Sequence, residues 1–115
     1  MDPNRARELL SRERGRIENE LRALRGERGD GELSHVDQHT ADAGSELFEN
    51  ERDQSVIERL ERELEAIARA EQRLEEGTYG ISVESGEPIP DGRLEAIPWA
   101  ERTAEEQARF EPRAY

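Results

Sequence analysis

The sequence predicts a mostly α-helical protein: a long antiparallel coiled-coil hairpin with a small globular knob and a short C-terminal helix at its base. Two observations carry that expectation. Apolar residues recur at heptad spacing in two segments whose other positions are almost all charged, and a glycine-rich stretch separates the segments. The composition agrees. Of 115 residues 40% are charged and 32% hydrophobic, and only five are aromatic. That is too little apolar material for a large enclosed core but enough for two narrow helical seams.

The first helix is expected over Pro3 to Arg25. Asp2 offers an acceptor side chain at the cap, and Pro3 has no N–H to leave orphaned in the first turn. Leu10, Ile17, Leu21 and Leu24 form one stripe. The segment GERGDGE, residues 26–32, then removes helix preference with three glycines.

The second helix is expected from Ser45 to Glu76, with Leu47 and Phe48 near its start and Gly77 as its stop. Ile57, Leu60, Leu64, Ile67 and Leu74 follow a heptad pattern in which Glu71 stands where one more apolar residue belongs. Each helix is too polar to be stable alone, so each stripe is read as packing surface for the other. At 1.5 Å per residue the rod would be about 45 Å long.

A long, thin hairpin carries its tip far from its base. The tip, residues 32–44, reads ELSHVDQHTADAG and holds almost nothing apolar. Asp37, His39 and Asp42 are the candidate partner-facing residues. His35, Asp37 and His39 have metal-ligating chemistry, but two imidazoles without a third firm ligand fit a solvated turn better than a metal site. Asp42 also suits a helix cap.

After Gly77 the pattern changes to short apolar pieces set between Gly and Pro. The stretch GTYGISVESGEPIP builds a tight knuckle of the kind that presents a Cys-x-x-Cys pair to zinc. Here it reads Ser82-Val-Glu-Ser85. The division expected is a hairpin over residues 1–76 and a knob with a C-terminal helix over 77–115. Short strands and a final helix from about Pro98 to Arg109 should make up the knob, around Tyr79, Ile81, Val83, Ile89, Leu94, Ile97 and Trp99. So small a core must lean on the hairpin's base or on a partner.

Charge narrows the function classes. The net charge is −12. The basic residues are all Arg, interleaved with Glu rather than gathered into a patch, which argues against direct DNA binding. The chain has no Cys, hence no disulfide, thiol nucleophile or thiolate metal site. No apolar run approaches the roughly 20 residues that span a bilayer, so no membrane partner and a cytoplasmic location are expected. No nucleophile stands with a base, which argues against an enzyme.

Several separated motifs, GTYGI, SGEPIP and RLEAIPWA with ADAG and ELFENERD upstream, closely resemble the DksA/TraR family of four-cysteine zinc-finger regulators of bacterial RNA polymerase. The resemblance spans residues 33 to 107, and the first helix is compatible with the family's other coiled-coil arm. It implies that the hairpin enters the polymerase secondary channel, with an acidic tip near the catalytic magnesium and the globular part on the channel rim. By the same resemblance the family's zinc-ligand cysteines fall on Ser82, Ser85, Thr103 and Glu106, so the finger is degenerate and neither zinc nor another cofactor is expected.

The resemblance extends to the tip, where the family motif DxxDxA falls on His39 to Gly44. Asp42 matches the second acid, His39 stands at the first, and Asp37 is its nearest substitute. Some members bind guanosine tetraphosphate through basic residues at positions that fall on Ala66 and Ile97. Neither can contact phosphate, which argues against that effector, although Arg69, Arg73, Arg93 and Arg102 are close by. Two readings follow: a non-enzymatic, stress-linked transcription regulator that binds RNA polymerase, or a coiled-coil interaction or general stress protein without polymerase activity.

Overall fold

A computed structural model of the chain describes residues 1–26 and 43–111, the first eight of the latter segment by backbone alone. Four helices follow in order: α1 Pro3–Arg25, α2 Ala43–Glu76, α3 Asp91–Ala96 and α4 Ala104–Phe110. The first two form the hairpin. α1 has the boundaries expected, and α2 begins two residues earlier than Ser45. The Asp2 side chain makes no capping bond, so the start of α1 rests on Pro3 in the first turn. α2 is 34 residues long, roughly 50 Å at the α-helical rise.

The seam between the long helices is the main core. Leu10, Ile17 and Leu21 of α1 meet Leu60, Ile67 and Ala70 of α2, and Leu24, Val56, Ile57, Leu64 and Leu74 pack around them partly buried. Burying a Leu or Ile side chain stabilises by about 1.5–3 kcal/mol, so this one strip outweighs every polar contact on the rod.

A polar gap interrupts the seam on both sides at the same level. Glu71 fills the vacant heptad position of α2, and Arg14 the equivalent one between Leu10 and Ile17 of α1. Their side chains meet as a two-pronged pair, Arg14 Nη2 to Glu71 Oε1 at 2.6 Å and Nε to Oε2 at 3.2 Å. A polar residue in a coiled-coil seam costs stability but specifies register. Arg25 with Glu61, about three helical turns further along α1, repeats the antiparallel match.

α2 ends as the glycine at 77 requires. Gly77 takes φ 81°, a left-handed conformation in which its N–H reaches the Leu74 carbonyl while that of Thr78 reaches the Arg73 carbonyl. These paired bonds satisfy the last carbonyls of the helix and turn the chain back onto the hairpin.

The knob differs from expectation in three ways. Its short strands are absent among the described residues, where one isolated bridge, Ile81 with Pro88, stands in their place. A short helix, α3, occupies DGRLEA, led in by Pro90. The last helix starts at Ala104 rather than near Pro98. Thr103 caps it, accepting from the Glu106 N–H while the Glu106 side chain accepts from the Thr103 N–H, a reciprocal capping box.

The knob's core is also smaller than expected. Ile89, Leu94 and Ala100 are buried, with Met1, Tyr79 and Ile97 against them. Ile81 and Val83 are 41% and 51% exposed. Alternation along the extended chain explains this: Ser82, between them, points inward. Tyr79 touches both the knob and the hairpin cores, and Trp99 packs on the hairpin seam. The Tyr79 hydroxyl donates to the Pro98 carbonyl at 2.8 Å. Burial pushes its pKa up to about 12, so it remains a donor.

Ionic contacts tie the knob to both helices of the hairpin. Arg5 of α1 grips Glu95 of α3 with Nε and Nη2 at 3.1 and 2.9 Å. On the other side Glu101 receives Arg69 at 2.6 and 3.2 Å and Arg73 at 3.1 Å. Burial pushes the Glu101 carboxyl up, but the two guanidinium groups outweigh it and hold it below the usual carboxylate range.

Candidate functional site

Three places qualify as functional: the hairpin tip, the cleft between α2 and the knob, and the knuckle. The tip residues Asp37, His39 and Asp42 lie outside the described residues, as does His35. Their flanking helices are described: α1 ends at Arg25 and α2 begins at Ala43.

The cleft has a volume of about 430 Å³. Ala66 and Ile97 line it, as do Arg69, Arg93 and Arg102. Those three arginines are already engaged within the chain. Arg69 is bound to Glu101, Arg93 Nε donates to the Arg102 carbonyl at 2.8 Å, and the Arg102 guanidinium lies 3.7 Å over the Phe110 ring. Arg73, expected alongside them, is turned onto Glu101 as well.

The knuckle brings together the positions that the family resemblance assigns to metal ligands. Ser82 Oγ donates to Glu106 Oε1 at 2.6 Å, and the Thr103 N–H donates to the same oxygen at 3.0 Å. Ser82 Oγ in turn accepts from the backbone N–H groups of Glu84 at 3.0 Å and Ser85 at 3.1 Å. Ser82 and Glu106 are the buried polar residues of the described chain, 4% and 6% exposed. Gly86, at φ 78°, closes the turn with its N–H on the Ser82 carbonyl.

This donor set does not fit zinc. A serine hydroxyl has one hydrogen and two lone pairs. Ser82 has given its hydrogen to Glu106 and both lone pairs to backbone N–H groups, so nothing remains for a metal. Neutral hydroxyls are poor zinc ligands in any case. Among the described residues no three His, Cys, Asp or Glu side chains converge as a metal site.

Sequence reasoning placed Ser82, Ser85, Thr103 and Glu106 but missed two features. The capping box was legible as Thr-x-x-Glu at 103–106. The Glu101 contacts had a weaker signal, Arg69 and Arg73 one helical turn apart on α2. Among the described residues no helix is long and apolar enough to cross a membrane.

A two-helix rod joined to a cysteine-free, finger-like knob defines the class, and comparison with known proteins agrees. Residues 77–112 match the prokaryotic dksA/traR C4-type zinc finger. General stress protein 16O of Bacillus subtilis is 47% identical over 83 residues, which is 70% of this chain and 50% of that protein. The RNA polymerase-binding transcription factor DksA of Caulobacter vibrioides is 38% identical over 63% of this chain and 46% of its own length. The structure of transcription factor DksA2 from Pseudomonas aeruginosa superposes with a TM-score of 0.74 at 31% identity, over 93% of this chain and 81% of that one. The chain therefore belongs to the DksA/TraR family, as a member with no cysteine. It spans about half the length of the curated relatives 16O and DksA.

Proposed function

We propose that this chain is a non-enzymatic transcription regulator that binds bacterial RNA polymerase through its secondary channel. In this reading the hairpin, residues 1–76, is the inserted element, and the knob, residues 77–115, rests on the channel rim. Asp37, His39 and Asp42 stand near the catalytic centre. One observation carries the reading: an unbroken α2 of 34 residues, braced by α1 over the seam, within a fold that matches DksA2 across 93% of the chain. A rod of that length delivers carboxylates to a recessed site, where they alter how nucleic acid and magnesium are held without catalysing a reaction. The polymerase is the partner; DNA and membrane are not, and the protein works in the cytoplasm.

The cleft supports an effector-free mode of action. Ala66 and Ile97 offer no charge and Arg69 is paired with Glu101, which argues against guanosine tetraphosphate as a ligand, while Arg59, Arg62, Arg93 and Arg102 make up the rest of the cleft's positive lining.

The test is co-purification with core polymerase. The full chain is expected to be retained, deletion of residues 33–44 to abolish retention, and Asp42→Asn to weaken its effect on transcription. If tip variants bind and act as the parent does, the channel mechanism is wrong. The 47% identity to general stress protein 16O favours one other reading, a coiled-coil interaction protein without polymerase activity. Self-association in sedimentation with no retained polymerase would decide for it.

A further inference from the structure

We infer that the Glu106 carboxylate performs in this chain the cross-linking that a metal ion performs in a four-cysteine finger, so that the knob closes without metal. A structural zinc ion joins two distant turns because its ligands arrive in pairs from each. Glu106 joins the same two places. Its Oε1 receives the Ser82 hydroxyl from the knuckle, 24 residues away in sequence, and the Thr103 N–H from the start of α4. Ser82 passes the link on to Glu84 and Ser85 through their N–H groups. One buried carboxylate thus organises both halves of the knuckle.

Completeness separates this arrangement from a metal site that has merely lost its ligands. Stripped of thiolates, a finger leaves the inward-facing N–H groups of its knuckle without acceptors, a costly state for buried donors. Here the N–H groups of Glu84, Ser85 and Thr103 all have acceptors within 3.1 Å. Bonds to an ionised acceptor are also about twice as strong as neutral ones. Around the cluster, the Val83 N–H donates to the Glu101 carbonyl at 2.9 Å, and Glu84 faces Arg102 at 3.4 Å and Arg109 at 3.8 Å. The cross-link therefore continues through the knob to the contact with α2.

Hydrogen exchange on the full chain tests the inference, and no polymerase is involved, so its outcome is separate from that of the functional proposal. In the parent protein, exchange at the amides of Glu84, Ser85 and Thr103 is expected to be the same with EDTA, with added zinc and with neither. Native mass spectrometry should find no stoichiometric zinc. Glu106→Ala should speed exchange at those amides by about tenfold and leave Leu60 and Ile67 unchanged. Glu106→Gln, which keeps an acceptor oxygen but loses the charge, should fall between.

Combined Ser82→Cys, Ser85→Cys, Thr103→Cys and Glu106→Cys should bind one zinc and become sensitive to EDTA. The inference is overturned if the parent carries a zinc ion or loosens in EDTA, or if both Glu106 variants exchange as the parent does. Failure of the four-cysteine variant to take up zinc also overturns it, because the four side chains would then not converge.

Discussion

Removing one charge, that of Glu106, tests how much of the knob hangs on a single side chain. Its carboxyl is pulled down to about 2 from an ordinary 4.5, chiefly by the Ser82 hydroxyl, then by the Ser85 hydroxyl and the Thr103 N–H. A carboxylate with a lowered folded pKa adds stability that is present above its unfolded value and is lost as pH falls through the folded one. The urea midpoint of the parent should therefore exceed that of Glu106→Gln at pH 6, and the gap should close between pH 4.5 and 2. A gap that stays constant over that range would mean the charge is not what Ser82 and Thr103 bind. Half of this cluster was legible: Thr103 and Glu106 stand in the spacing of a capping box. Local spacing did not reveal the Ser82 bond, since no local rule pairs residues 24 apart, and only the family resemblance put residues 82 and 106 at one site.

The hairpin helices were readable in advance because a heptad stripe is a local property of sequence: Leu10, Ile17, Leu21, Leu60 and Ile67 are buried in the seam, while Leu24, Ile57, Leu64 and Leu74 pack there partly buried. Ile67, fully buried in the seam, is expected to cost about 2–5 kcal/mol when cut to Ala, measured by urea unfolding. The pair Arg14 and Glu71 makes a finer test. Both side chains are about one-third exposed, so their attraction is partly screened and worth well under 1 kcal/mol net. Either one changed alone to Leu should lower the thermal midpoint by circular dichroism. Changing both to Leu should raise it, at the expense of a unique register, because a continuous apolar seam buries more without holding the helices at one level. The knob's elements were less legible. α3 is a six-residue helix containing Gly92 and flanked by prolines, below the length at which periodicity shows. Pro98, taken as the start of the last helix, instead offers its carbonyl to Tyr79.

The molecule is elongated, 54 × 37 × 20 Å, and its two ends have different tasks if the proposed function holds. Deleting residues 33–44 should abolish capture by core polymerase while leaving the unfolding midpoint nearly unchanged, since the seam from Leu10 to Leu74 is untouched. The base depends on the Arg5–Glu95 and Arg69/Arg73–Glu101 contacts. Glu101→Ala leaves two guanidinium groups without their carboxylate and should loosen the knob, read as a shift in Trp99 fluorescence with little change in helix content. The sequence alone settled the helical class, the two seams with their polar gap at Glu71, the family and the absence of thiolate chemistry, because spacing, residue type and motif order do not depend on a third dimension. Folding in space settled which acids and bases meet. Glu71 found Arg14 across the hairpin, Glu101 found α2, and Ser82 found Glu106, since each partner lies tens of residues away and only the closed chain brings the pair within hydrogen-bond reach.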